Sequence, residues 1–159
     1  MPNDPLLGAV IDWTPARQPQ RTELRGSYTL LRPVDPETDA AALFDASHPA
    51  DGDRSIWTYL PYGPYKSAGT FQAALEQHAA TDDPLFFTIA PLPDERPAGI
   101  ASYLRIEPAS GVIEIGHIWF GTALQQTTAA TEAMYLLARY AFDELGYRRL
   151  EWKIGRAHV

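Results

Sequence analysis

Apolar residues recur along this chain at changing periods, and each change of period marks an element. The richest stretch runs from Gly111 to Arg149. It opens with apolar residues on both faces (Val112, Ile113, Ile115, Ile118, Trp119, Phe120), the pattern of a strand buried on two sides. A polar loop of small residues, 125–130, follows and runs directly into a helical period. There Ala130, Met134, Leu137, Ala141 and Leu145 share one face from about Ala129 to Leu145, and Gly146 closes the run. Another strand begins near Leu150. Upstream, Tyr28–Arg32 reads as a strand stopped by Pro33. Pro36–Ala46 reads as a helix, with Asp35 as its cap and Ala41, Leu43 and Phe44 on its apolar side. His48–Tyr65 is irregular and rich in aromatics. Ala68–Ala80 reads as a second helix that buries Phe71, Ala74 and Leu75, with His78 on the same side. Leu85–Ala90 and Gly99–Ile106 read as strands joined by a turn at Pro91–Asp94, and 108–111 turns into the next strand. Residues 1–27 are Pro-rich and polar, with Trp13 as the one large anchor, and read as an arm lying on a single domain.

This order places a strand, a small-residue loop and a helix start in succession near residue 125. The N–H groups of a first helical turn have no intrahelical acceptor, and the helix dipole favours an anion beside them, so such a junction suits a phosphate. Composition narrows the partners. A net charge of −7 argues against nucleic acid, which needs clustered Lys and Arg; it serves solubility and is compatible with a cationic amine. No apolar run reaches membrane-spanning length, so no membrane is expected as a partner. With no cysteine there is no disulfide framework and no thiolate chemistry, which makes the cytoplasm the expected compartment. His48, His78, His117 and His158 lack metal-ligand spacing, so no metal is expected. Nothing in the sequence fixes the oligomeric state.

The loop Gln125-x-x-Thr128-x-Ala130, continued by Thr131-Glu132-Ala133, is similar to the Q/R-x-x-G-x-G/A pyrophosphate loop of the GCN5-related N-acetyltransferase (GNAT) superfamily. Leu30–Pro33, Trp57–Pro64 and Ile113–His117 extend the likeness, which covers most of the chain after Tyr28 and is nearest the branch typified by ribosomal-protein-alanine acetyltransferases. Thr128 departs from the pattern by standing where the family usually has glycine, and the loop carries no Arg or Lys. The resemblance implies an α+β (α/β/α) fold around a mixed, mostly antiparallel sheet. In it, the strand after the long helix lies parallel to the strand before the helix but splays from it, leaving a gap for the pantetheine arm of acetyl-coenzyme A. Gly116 in mid-strand fits a bulge or a close backbone approach there, and equally a glycine that makes room for a neighbouring side chain.

The implied reaction moves the acetyl group of acetyl-coenzyme A, as co-substrate, to a primary amine of a small molecule or a protein N-terminus. The competing reading is a non-catalytic coenzyme A-binding or interaction module. Transfer needs a neutral nitrogen, whereas an amine of pKa about 10.4 is neutral only about once in 2,500 molecules at pH 7. Glu114, on the central strand, is the candidate proton acceptor by resemblance; as a plain strand carboxylate it would pair with Arg105. His117, three residues on, is expected on the opposite face as a core histidine. Glu132, Asp143 and Glu144 read as a solvated helix face. The resemblance makes the backbone of Ile118, Trp119 and Phe120 the partner of pantetheine, although Trp119 and Phe120 equally suit the core. It assigns Gln125, Gln126, Thr127, Thr128, Ala129 and Ala130 to the pyrophosphate. Trp57, Tyr59 and Tyr62 either rim the acceptor pocket or pack an irregular loop onto the sheet. The family continues past Leu150–Lys153 with another helix and further strands. Residues 28–153 are therefore expected to form an incomplete domain, and 154–159 to be a non-native tail. The residue that protonates the leaving thiolate is expected to be missing.

Overall fold

A computed structural model describes Gly8, Ala9 and residues 12–153; the tail expected at 154–159 and the first residues of the arm lie outside the described residues. The described chain forms β1 (Leu24–Arg25), β2 (Thr29–Pro33), α1 (Pro36–Ser47), a 3₁₀ turn (Ser55–Trp57), α2 (Ala68–Ala80), β3 (Leu85–Pro91), β4 (Gly99–Glu107), β5 (Val112–Phe120), α3 (Thr128–Arg139), a π turn (Tyr140–Glu144) and β6 (Arg149–Glu151). The strands make one six-stranded sheet in chain order. Each neighbouring pair is antiparallel except β5 with β6, which is parallel, so the expected mixed, mostly antiparallel α+β architecture is present.

Strand alternation splits the apolar residues into two cores. On β3, Leu85, Phe87 and Ile89 point toward α3, where they join Leu31, Tyr103, Ile113, Ile115, Ala133, Leu136 and Leu137. Phe86 points the other way and joins Leu43, Trp57, Phe71, Leu75, Ile100 and Trp119 beneath α1 and α2. Local sequence sets the helix starts. The Asp35 side chain accepts from the backbone N–H groups of Glu37 and Thr38, with Pro36 opening α1, and Ser67 forms a reciprocal capping box with Thr70 at α2.

Three expectations need correction. The long helix does not stay α-helical to Leu145. It ends at Arg139 and passes into a π turn, because Leu145 N–H reaches back five residues to the Tyr140 carbonyl at 2.9 Å. The arm does more than lie on the domain: Leu24 and Arg25 pair with Leu31 and Leu30 as an edge strand. Further back, Trp13 Nε1 donates to the Gly146 carbonyl, and Arg17 N–H donates to that of Leu145 at 2.8 Å. Glu132, finally, is not a free surface carboxylate. It accepts the backbone N–H groups of Ser27, Tyr28 and Thr29 at 2.9, 2.7 and 2.9 Å, gathering the entry to β2 onto α3. Partial burial alone would raise its pKa, but those three N–H groups and Arg139 outweigh it and hold Glu132 below the ordinary carboxylate value.

Glu132→Ala should therefore destabilise the fold by about 1–2 kcal/mol, because three donors lose a charged acceptor together. Denaturant unfolding of the two chains measures this. The wild-type advantage should fade as pH falls below the ordinary glutamate value, since the folded-state pKa is depressed and protonation ends the charge-assisted bonds.

Candidate active site

Pairing of β5 with β6 covers only Val112–Arg149, Ile113–Leu150 and Glu114–Glu151. Beyond Glu114, β5 has no strand neighbour on that side among the described residues. A cavity of about 170 Å³ opens there, lined by Ile56, Tyr59, Leu60, Gly116, His117, Ile118, Trp152 and Lys153. A second, of about 280 Å³, follows the same edge toward the loop and is lined by Ser55, Ile56, Tyr59, Ile118, Trp119, Phe120 and Gln125. Ile56, Tyr59 and Ile118 border both, so one groove runs along β5 from Lys153 to Gln125. A larger surface hollow of about 600 Å³ lies between the arm and the π turn, against Arg17 and Tyr140, away from this strand edge.

Two bulges shape the groove. Between the pairs Leu104–Glu114 and Glu107–Val112, β4 carries one residue more than β5, and Arg105 there adopts φ of 47°. Between Ile100–Trp119 and Ser102–Gly116, β5 carries the extra residue, and His117 adopts φ of 51°. An inserted residue breaks the alternation of faces. Asp83 holds the first bulge, its carboxylate accepting the N–H groups of Arg105 and Ile106 at 2.9 and 3.0 Å. The second overturns the expectation that His117 faces away from Glu114. Its ring stacks on Tyr62 (centroids 5.6 Å apart) and lies near Phe86, on the α1–α2 side, which is also the side of Glu114 between the oppositely directed Ile113 and Ile115. Both readings of Gly116 have a counterpart. It adjoins the bulge, and a Cβ on it would come within 2.8 Å of Leu104 Cδ2.

Glu114 is 7% exposed, and its Oε2 accepts from Arg105 Nη1 and Lys153 Nζ, each at 2.8 Å. The Arg105 pairing considered from sequence is thus present, and Lys153 adds a second cation that also reaches Glu151 at 2.6 Å. Glu114 lines neither cavity of the groove. His117 does, with Nδ1 3.2 Å from the Tyr62 hydroxyl. Burial lowers the His117 pKa, partly opposed by the negative charge of Glu114. Burial likewise drives His78 down to about 4, helped by His117, and raises the Tyr62 phenol.

The remaining sequence candidates separate by position. Trp57 is 4% exposed, donates Nε1 to the Ser47 carbonyl and packs in the core beneath α1 and α2, so its rim reading is replaced by the packing one. Tyr59 is half exposed and borders both parts of the groove. Tyr62 stands behind His117. Trp119 is both core and groove wall, while Ile118 and Phe120 border the groove and pack against the α3 core. In the loop, Gln125 donates Nε2 to the Phe120 carbonyl, and Gln126 takes the left-handed conformation with φ of 59°. Thr128 is the first helical residue and has no positive φ, so the glycine of the usual pattern is not needed there for backbone freedom. Thr127 caps α3. Its Oγ1 accepts from Ala130 N–H at 3.1 Å and donates to the Leu124 carbonyl at 2.7 Å. Ala130 N–H is thereby engaged, and among the described residues those of Gln126, Thr127, Thr128 and Ala129 have no protein acceptor. Ala129 and Ala130 are themselves buried. Sequence reasoning missed Lys153, Trp152 and His117 as groove residues. A Gly-His pair inside an apolar strand was the available signal for a bulge. Among the described residues no group of three or more acidic, His or Cys side chains could hold a metal, and no described helix is long and apolar enough to cross a membrane.

The model of the acetyltransferase (GNAT) domain family matches residues 29–159. The chain belongs to the GNAT acetyltransferase family. Its similarity to solved GNAT structures is close. A GCN5-related N-acetyltransferase from Brucella melitensis is 39% identical with a TM-score of 0.84, over 89% of this chain and 63% of that one. A probable GNAT-family acetyltransferase from Chromobacterium violaceum is 36% identical with a TM-score of 0.81, over 96% of this chain and 75% of that one. The chain thus spans under two thirds of the first and three quarters of the second. A putative ribosomal-protein-serine acetyltransferase from Vibrio cholerae shares the fold at 15% identity and a TM-score of 0.69, over 85% of this chain and 75% of that one. A comparison with curated proteins gave no match.

The cap can be tested without any ligand. Thr127→Val should lower stability by about 1 kcal/mol and speed amide exchange at Ala130, because the helix start loses its side-chain acceptor. Equal exchange at Ala130 in both chains would mean that Thr127 does not hold the loop.

Proposed function

We propose that this GNAT chain transfers the acetyl group of acetyl-coenzyme A to a primary amine, on a small molecule or a protein N-terminus, within the ribosomal-protein-alanine-like branch. The observation that carries the reading is the open edge of β5 from Ile115 to Phe120, which runs beside a groove to a helix start with unpaired N–H groups. An extended amide-bearing arm can pair with such an edge as an added strand does, through the backbone of Ile118, Trp119 and Phe120. A pyrophosphate then reaches the loop 125–130, where the N–H groups of Gln126, Thr127, Thr128 and Ala129 and the α3 dipole favour it; Gln125 and Ala130 frame the loop. Because the groove bends past Tyr59 toward Lys153, the thioester end lies near Glu114 and His117, and the acceptor approaches over Tyr59 and Tyr62. Holding the two reactants side by side supplies a large part of the rate. Glu114 assists removal of the amine proton.

Two predictions test this reading. Thr128→Glu should weaken acetyl-coenzyme A binding by about tenfold or more in calorimetry, since the exposed carboxylate would meet the pyrophosphate at close range. A carboxylate in the first helical turn favours the helix, so the variant should melt no lower than wild type, and unchanged affinity would move the pyrophosphate elsewhere. Glu114→Gln should reduce turnover about 10²-fold at neutral pH, with the deficit shrinking as pH nears the amine pKa and coenzyme affinity unchanged. A deficit equal at every pH would make Glu114 structural. Coenzyme binding without thiol release across a panel of amines would favour the non-catalytic module.

A further inference from the structure

The acetyl-transfer reading leaves open which atom first receives the amine proton. We propose that it is Nε2 of His117, with Tyr62 as the positioning residue on the other ring nitrogen.

The β5 bulge turns the His117 ring to the α1–α2 side, where His117 lines the cavity beside the open part of β5. Tyr62 fixes the ring twice, by stacking at 5.6 Å and by the 3.2 Å contact between its hydroxyl and Nδ1. Nε2 has no partner among the described residues, and it is not sealed off. The buried side-chain polar atoms without a partner are His78 Nδ1 and Tyr147 Oη. Nε2 is therefore the ring nitrogen left available to a ligand, on a residue that lines the cavity. Glu114 is placed differently: its Oε2 already serves Arg105 and Lys153, and it borders neither cavity.

The charged and titratable groups around His117 are Tyr62 from the loop, His78 from α2, Glu114 on its own strand, and Tyr59 and Lys153 across the cavity; Phe86 on β3 brings no charge. Burial keeps the imidazole neutral at pH 7 and keeps the Tyr62 phenol protonated. In the tautomer with the proton on Nδ1, that N–H donates to Tyr62 Oη and the lone pair of Nε2 is left free to accept a proton. Once Nε2 is protonated, Oη still accepts from Nδ1 and the Glu114 charge favours the cation.

The step balances. An ammonium gives one proton to Nε2, and the freed lone pair forms the C–N bond as the thioester C–S bond breaks. The second nitrogen proton ends on the departing sulfur, giving amide and free thiol, and His117 returns its proton to water.

The full chain tests this through its pH–rate profile with acetyl-coenzyme A and an amine panel, alongside calorimetry of acetyl-coenzyme A. His117→Asn suits the positive φ, because asparagine tolerates the left-handed region. It should lose about 10²-fold in kcat/KM, lose the acid limb of the profile and keep coenzyme affinity. Tyr62→Phe and Glu114→Gln, each removing support for the imidazolium, should shift that limb to lower pH. NMR titration of the wild-type His117 ring should give a pKa below the ordinary histidine value that coincides with the limb. A normal rate and limb in His117→Asn, or a limb that Tyr62→Phe leaves in place, overturns His117 as acceptor while acetyl transfer stands. Wild-type chain that binds no acetyl-coenzyme A, or binds it without releasing thiol, overturns the transfer reading and this assignment with it.

Discussion

Among the described residues, parallel pairing between β5 and β6 covers three residue pairs, and the groove lies along the part of β5 that this pairing leaves open. A strand edge that carries unpaired N–H and C=O groups is costly unless something fills or solvates it. The groove along β5, lined there by Gly116, His117, Ile118, Trp119 and Phe120, is where that edge lies open. Glu114 sits at the last paired position and ties both sides together, since Arg105 comes from β4 and Lys153 from beyond β6. The buried carboxylate is compensated by two cations at once, so removing either would leave the other to balance it alone.

Carboxylates serve several places where donors lie outside regular pairing. Asp83 takes the two N–H groups freed by the β4 bulge, and Glu132 takes three at the entry to β2. Asp39, fully buried, accepts from Arg32, from the Thr88 hydroxyl at 2.6 Å and from Asp35 N–H, joining β2, β3 and α1. Each site gives irregular donors an ionised acceptor, the stronger kind of hydrogen bond. The overall acidity of the chain thus has a structural share beyond solubility.

Both bulges change which way a side chain faces; one lies on β5, which borders the groove, and the other on β4 beside it. Arg105 is aimed at Glu114 and His117 at the cavity; without the inserted residues each would point to the other face of the sheet. The ring stack of His117 and Tyr62 then connects β5 to the aromatic loop at 55–65, so one wall of the groove is fixed by the same contact that orients the histidine.

The sequence alone determined the order of the main strands and helices, the two-sided burial of β5, the cap at Asp35, and the strand–loop–helix junction at residue 125. These follow from local period and local hydrogen bonding, which neighbouring residues decide. It also carried the family likeness, residue by residue, to Gln125–Ala130. The tertiary structure decided what pairing across distance controls: that Glu132 serves a strand more than a hundred residues away, that Trp57 is core while Tyr59 borders the groove, and that the end of α3 loosens into a π turn. It decided above all the face of His117. Alternation predicts the far side, but one residue inserted against β4 reverses the parity, and register between strands is set by the partner strand, which no single strand's sequence contains.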